Sequence, residues 1–307
     1  MKMNMNRTRR LARCLLIGSA AAAFLGLSLQ AHALPTCTVE RWTNSLTEGL
    51  DDSNTGYQGS GNRRYGGPCG LRVPVDGSER YVGTDSPNNE TTYKARFYVF
   101  LDYAGDEDVL IFAAQDQNDE DVIQVWFQPG NDHGDLVLQV YDDGGSAVSL
   151  SADGIGGGWH SVQLVWASDD NAEIRFAVNH DDETQDLVTT HDTSGVPLVR
   201  TFLGNINGAD GGTNAHIDFD DFDSRRDTRP GRLCRGLTDP DRAPASDGWQ
   251  EVNSDDRQAI FVEMATGGGT PAGGQPDFNE DGVVNSDDRF AIFAAMATGQ
   301  NSCEVLR

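Results

Sequence analysis

Short runs of alternating apolar and polar residues fill the middle of the chain, from about residue 91 to 223, and each run ends in a turn rich in Asp, Asn and Gly. The pattern predicts strands at 93–101, 109–114, 122–127, 136–141, 160–167, 172–179, 198–203 and 216–222, with a further one near 71–75. Within 160–167, Val162, Leu164 and Trp166 share one side and Ser161, Gln163 and Val165 the other. Ile174, Phe176 and Val178 repeat the device against Glu173 and Arg175. Breakers such as Pro129-Gly130-Asn131-Asp132, Asp142-Asp143-Gly144-Gly145 and Gly156-Gly157-Gly158 suit the turns between them. Period-two alternation over so many short segments implies antiparallel sheets, each with one buried face, packed as a sandwich. Helical crossovers are absent from this stretch, which argues against a doubly wound fold. Residues 34–90, with Trp42, Gly56-Tyr57-Gln58-Gly59 and Cys69, read mostly as loop at the sandwich's N-terminal edge.

The pattern changes after Arg225-Arg226-Asp227-Thr228-Arg229-Pro230-Gly231, where a self-similar pair appears at an offset of 32 residues. Val252-Asn253-Ser254-Asp255-Asp256-Arg257 recurs as Val284-Asn285-Ser286-Asp287-Asp288-Arg289, and Met264-Ala265-Thr266-Gly267 as Met296-Ala297-Thr298-Gly299. Ile260, Phe261 and Met264 in one copy, and Phe290, Phe293 and Met296 in the other, recur at helical spacing, so each copy predicts a short helix stopped at its glycine.

Ahead of the second helix, residues 277–288 place oxygen-bearing side chains at loop positions 1, 3, 5, 9 and 12, with Gly282 at position 6. A calcium ion takes about six to eight hard oxygens, and glycine permits the sharp turn that wraps the loop around it. The expected ligands are Asp277, Asn279 and Asp281 through side chains, Val283 through its carbonyl, Asn285 directly or through water, and Asp288 as the closing carboxylate. The first copy keeps only Asp247, Asn253 and Asp256 at ligand positions and has Gln250 at the glycine position, so it is expected to be metal-poor or empty.

Composition sharpens this picture. Acidic residues outnumber basic ones 48 to 23, with 36 Asp against 12 Glu, giving a formal charge of −25. A phosphate backbone is repelled by such a chain, so nucleic acid is excluded as a partner, while divalent cations are attracted. Residues 1–33 read as a secretory signal: Lys2, Arg7, Arg9, Arg10 and Arg13 lead, 15–29 is apolar, and Ala31-His32-Ala33 is a small-residue cleavage site. The mature chain then starts at Leu34 at charge −30, is secreted or held at the cell surface, and keeps no transmembrane segment. Three regions follow: the signal at 1–33, a sandwich at 34–228 and a two-repeat module at 229–307. Cys37, Cys69, Cys234 and Cys303 remain, an even number in an oxidising compartment. Four cysteines allow three pairings; pairing within each module favours Cys37 with Cys69 and Cys234 with Cys303. A zinc site is the alternative, and no CxxC spacing or nearby His pair supports it.

The strands Tyr93 to Phe100, Trp159-His160-Ser161-Val162 and Gly211-Gly212 to Ile217-Asp218-Phe219-Asp220-Asp221-Phe222 resemble those of laminin-G-like or concanavalin-like jelly-roll domains. That resemblance implies carbohydrate binding, sometimes through calcium, and in some relatives hydrolysis or elimination of polysaccharide. The paired segments at about 237–300 resemble type I dockerins, where Asp at loop position 12 is usual. The dockerin resemblance implies that Ser254-Asp255 and Ser286-Asp287 help select a cohesin partner. The expected protein is thus mainly β, a jelly-roll sandwich followed by a small helical calcium module.

Catalytic motifs are few. GxSxG, HExxH and Walker patterns are absent, as is the Glu-x-Asp-x-x-Glu strand motif of laminarinase-type jelly rolls. A glycosidase needs two carboxylates across a cleft, and Glu107, Glu120, Asp135, Glu173, Asp218 and Asp220 are too many to single out a pair. A polysaccharide lyase would draw on Arg96, Gln124, Tyr141, His160 and Arg175, which no short motif unites. His133, His180 and His191 are assigned to turns, and His160 and His216 to strands in structural roles. Asp218, Asp220, Asp221 and Asp223 predict a solvent-facing acidic strip. It reads first as an edge that discourages strand pairing, and second as a place for calcium or sugar hydroxyls. The leading expectation is a secreted, non-catalytic binder of a polysaccharide or cell-surface glycan; the alternative is a polysaccharide-degrading enzyme.

Overall fold

The computed structural model describes residues 37–40, 42–56, 63, 65, 69–101, 103, 105–130, 134–233, 261, 264–265 and 285–298. Thirteen strands form two sheets: β1 (Thr55–Gly56), β2 (Gly70–Pro74), β3 (Arg80–Thr84), β4 (Thr92–Phe100), β5 (Val109–Gln115), β6 (Asp121–Gln128), β7 (Asp135–Tyr141), β8 (Ala147–Ala152), β9 (Trp159–Ala167), β10 (Ala172–Val178), β11 (Leu187–His191), β12 (Arg200–Asn205) and β13 (His216–Arg225). One sheet runs β1-β2-β13-β4-β9-β10-β11 and the other β3-β12-β5-β6-β7-β8. Every paired neighbour is antiparallel. Successive strands cross repeatedly between the two sheets, as in a jelly-roll-type sandwich.

The core is made by the inward halves of the alternating runs. Tyr93, Ala95, Phe97 and Val99 of β4 meet Val162, Leu164 and Trp166 of β9 and Ile217 and Phe219 of β13. Phe97 stacks across the gap on Phe112 of β5 at 5.7 Å. Each such ring or branched chain contributes about 1.5–3 kcal/mol when fully buried. Besides the two-residue β1, the strands the alternation did not predict are β3, β8 and β11. Their residues, RYVGT, AVSLSA and LVTTH, mix Ser, Thr and Gly with few large apolar groups, and all three are edge strands. His191 therefore closes a strand rather than sitting in a turn.

In β13 the pairing with β4 slips between Asp220 and Asp223, a bulge at which Asp221 has φ 48°. The extra residue returns Phe222 to the core side, 5.2 Å from Trp42 and 6.4 Å from Phe112. The disulfide Cys37–Cys69 is present, with Cα atoms 5.5 Å apart, and ties the N-terminal segment to the residue before β2. Cys234 and Cys303 lie outside the described residues, as do the signal region and the whole first loop with Ser254 and Asp255.

At the C-terminal end, α1 (Ser286–Thr298) forms where the second repeat predicts it, and Phe261, Met264 and Ala265 of the first copy are helical. Ile292 is buried, whereas Phe290 and Phe293 are 71% and 57% exposed. No helix among the described residues is long and apolar enough to cross a membrane.

Candidate functional site

Each sheet has an outer face, and the two differ sharply. On the seven-stranded sheet the outward residues of β4 are Lys94, Arg96, Tyr98 and Phe100, beside Arg72 of β2, Asp218 and Asp220 of β13, and Trp159, Ser161 and Gln163 of β9. Asp218 corrects the expected acidic strip: it is fully buried. Arg72 donates to both its oxygens at 2.7 and 3.1 Å, and Arg63 and His216 stand 3.6 Å away. A lone buried carboxylate is costly, and the Arg72 and Arg63 guanidinium groups offset that cost. Asp220 accepts from the backbone N–H of Tyr65 at 2.6 Å, so it too holds structure together.

Aromatic rings and a strap of chain close this face. Tyr65 stacks on Tyr98 at 3.6 Å, and Trp159 meets Phe100 and Tyr65 edge-on. Residues 227–233 then cross the sheet. Lys94 donates to the carbonyl of Asp227 at 2.6 Å, and Arg96 to those of Asp221 and Gly231. The Arg229 guanidinium binds Gln163 at 3.0 Å and the Asp186 carboxylate at 2.9 and 3.1 Å. The backbone N–H of Arg232 donates to Asp181, and that of Leu233 to the Tyr98 hydroxyl, both at 2.8 Å. Packing on the sandwich thus continues to Leu233, beyond the boundary expected at residue 228, and Arg96, Ser161 and Gln163 lie buried beneath.

The six-stranded sheet keeps an open outer face. Register places Gln124 of β6 beside Gln139 of β7, and Trp126 beside Val137. Asp121 accepts from the Gln115 and Gln124 amides at 2.8 and 2.7 Å. Gln124 in turn accepts from the indole N–H of Trp126 at 2.9 Å, and the Tyr141 hydroxyl lies 3.1 Å from Gln124 and 2.9 Å from Gln139. All four of Gln124, Trp126, Gln139 and Tyr141 are half-buried, with edges open to solvent. Partial burial, and then the charge of Asp121, push the Tyr141 phenol above its ordinary value, so it is protonated at neutral pH. The far end of the face is apolar, with Tyr81 against Phe202, and is capped by Leu46. Gly83 permits that approach, since a Cβ there would run into the Leu46 backbone. No Lys or Arg occurs between Arg96 and Arg175, so β5 to β8 carry no cation. Arg200 at the sheet's flank is paired with Asp119.

The residues grouped for a lyase separate. Gln124 and Tyr141 come together on the open face, Arg96 and Arg175 lie on the other sheet, and His160 is a structural group. Its Nε2 faces the Gly156 carbonyl at 2.7 Å and its Nδ1 faces the Asn179 amide at 2.9 Å. Trp126 and Gln139 were missed because a Trp and a Gln in a predicted strand look like any other alternating pair.

Of the calcium loop, only Asn285 to Asp288 fall among the described residues. Asp288 is buried and accepts from the backbone N–H of Asn285 at 2.7 Å, while the Asn285 side chain accepts from that of Asp287 at 2.6 Å. The two bonds cap the N-terminus of α1; Asp277, Asn279, Asp281 and Val283 lie outside the described residues. Ser286 and Asp287 are exposed in the first turn of α1. No three His, Cys, Asp or Glu side chains converge as metal ligands among the described residues. A depression beside Glu40, Asp51 and Asp52 offers no exception: Asp51 caps Ser53, and Asp52 accepts from Val39.

No family model and no curated protein matches the chain. Among solved structures it is similar to the endo-β-1,4-glucuronan lyase of the fungus Trichoderma reesei, with TM-score 0.40 and 14% identity over 52% of this chain and 81% of that one. An alginate lyase from Pseudomonas aeruginosa gives TM-score 0.40 and 15% identity over 52% and 82%. The receptor-binding domain of botulinum neurotoxin D gives 0.40 and 11% over 51% and 40%. The chain thus spans about two fifths of the length of that toxin chain.

Proposed function

We propose that the protein is a secreted, non-catalytic binder of neutral polysaccharide, which lies on the open face of the six-stranded sheet. The observation that carries this reading is the Gln124–Trp126–Gln139–Tyr141 network. It presents aromatic edges beside amides already fixed by hydrogen bonds, on strands without a single cation. Sugars have apolar ring faces and hydroxyl edges, which suit rings and amides respectively. The one Arg beside the network, Arg200 opposite Gln115, is already paired with Asp119, so acidic polymers find no unpaired cation there. Affinity electrophoresis against neutral and acidic polysaccharides tests the reading. Retardation by a neutral polymer, weakened about tenfold by Trp126→Ala, supports it; retardation by acidic polymers alone overturns it.

The alternative, a polysaccharide-degrading enzyme, draws on Arg72, Arg96 and His216 of the other face. The strap and the Tyr65 cover keep much of that face from a polymer. Release of reducing ends or unsaturated products from the same panel would support the enzyme instead.

The C-terminal module is proposed to bind calcium through residues 277–288 and to serve as a dockerin-like joint for a cohesin-type partner. The burial of Asp288, which accepts from the Asn285 N–H, and the exposure of Ser286 and Asp287 support this. Calorimetric titration with calcium, and capture by cohesin domains with and without chelator, test the two parts separately.

A further inference from the structure

The hydrogen-bond chain on the open face has a direction, and that direction decides which amide oxygens are left to accept. An aspartate accepts only, so both amides that meet Asp121 do so through nitrogen. Gln124 therefore turns its carbonyl oxygen to the Trp126 indole, which only donates. The Tyr141 hydroxyl has one proton and sits between Gln124 and Gln139. Because the Gln124 oxygen is fixed, the phenol donates there. A carbonyl oxygen of Gln139 at 2.9 Å would then face the phenol oxygen lone pair to lone pair; the terminal amide turned over donates its N–H instead and makes a second bond. The two orientations differ only by exchange of amide N and O, and the hydrogen-bond balance selects the second.

That orientation leaves the Gln139 carbonyl oxygen on the side away from Tyr141, with no donor to it from the described residues. Gln124 has both ends occupied, the indole N–H is used, and the Tyr141 proton is used. Gln139 is thus, with Gln115, an amide of the network with an acceptor to spare, and of the two it is the one that meets Tyr141. Its neighbour across the strand pair is Ser149, which is exposed.

We propose that Gln139 determines which sugar the face accepts, its carbonyl oxygen taking the hydrogen of one sugar hydroxyl, on the ring or exocyclic, whose presence and orientation distinguish the bound glycan. This rests on the neutral-glycan reading of the same face. The discrimination follows from the general asymmetry that a site built to bond a hydroxyl rejects the analogue that lacks it or directs it elsewhere.

The test uses cellohexaose, mannohexaose and xylohexaose, which differ in the direction of one ring hydroxyl or in the loss of the exocyclic one. Each is titrated calorimetrically into the full chain and into Gln139→Leu and Gln139→Glu. The wild type is expected to prefer one hexaose about tenfold over the next. Gln139→Leu is expected to bring the three within about twofold, and Gln139→Glu, which keeps an acceptor oxygen, to restore the preference. A merely structural Gln139 would weaken all three equally and leave the ratio intact, and that result overturns the proposal. If the wild type binds none of the three, nor any neutral polymer, the neutral-glycan reading itself fails. Melting temperatures of both variants within a few degrees of wild type confirm that folded protein is compared.

Discussion

The two outer faces of one sandwich use similar residue types to opposite ends. On the seven-stranded sheet Arg, Asp, Gln and Tyr are spent on one another and on the protein's own chain: Asp218 on Arg72, Gln163 on Arg229, Tyr98 on Leu233. On the six-stranded sheet Gln124, Gln139, Trp126 and Tyr141 are locked in place but left at the surface. The difference lies in cover as well as in charge. Polar groups beneath a strap must be satisfied internally, so they become structure. Polar groups that are ordered yet open are arranged in advance for a ligand and lose little entropy on binding it.

The largest effect expected from breaking this contrast is at Asp218. Replacing it with Ala leaves the Arg72 guanidinium without its buried partner, and urea denaturation should show a loss of about 3–5 kcal/mol. Next comes the strap. Arg229→Ala removes bonds to Gln163 and Asp186, and should cost about 1.5–3 kcal/mol in the same assay. Exchange of the Arg232 and Leu233 amides should also quicken, while glycan binding on the other face stays unchanged. If either variant loses glycan affinity without loss of fold, the division between the faces is wrong.

Calcium should act apart from both faces. Adding it is expected to raise the melting temperature of the C-terminal module but not of the sandwich, and Asp277→Ala should abolish the rise. The smallest effect concerns Asp182, in the loop that holds the strap. Hydrogen bonds from Gln185 and Thr184 lower its carboxyl from 3.8 to about 2. A depressed folded value means a contribution present above 3.8 and lost as pH falls toward 2. Acid titration of Asp182→Asn should show a slightly shallower loss of stability in that window.

Much of the sandwich was legible because one side of each central strand packs apolar residues into the core. Val162, Leu164 and Trp166 alternate cleanly, and so do Ile174 and Phe176. β3, β8 and β11 were not, since edge strands bury too little to need the pattern. The burial of Asp218 was illegible for another reason: its partner Arg72 is 146 residues away, and alternation gives a residue's side but not what covers that side. The strap hid in the same way, in a Pro-Gly stretch that reads as a linker. Gln124 and Tyr141 were noticed for their chemistry, but only register β6 to β7 joins them and adds Gln139. The loop at 277–288 is a reading of another kind, drawn from spacing within twelve positions, and its residues 277–284 lie outside the described residues.

The central claim is that the open face, not the covered one, holds the glycan. Calorimetric titration of one neutral polysaccharide that binds the wild type into Trp126→Ala and Arg63→Ala, side by side, tests it most directly. Trp126 belongs to the open network, and Arg63 lies over Phe100 on the other face at 4.0 Å. The account predicts at least a tenfold loss for Trp126→Ala and unchanged affinity for Arg63→Ala. Full affinity in Trp126→Ala together with a loss in Arg63→Ala would contradict it.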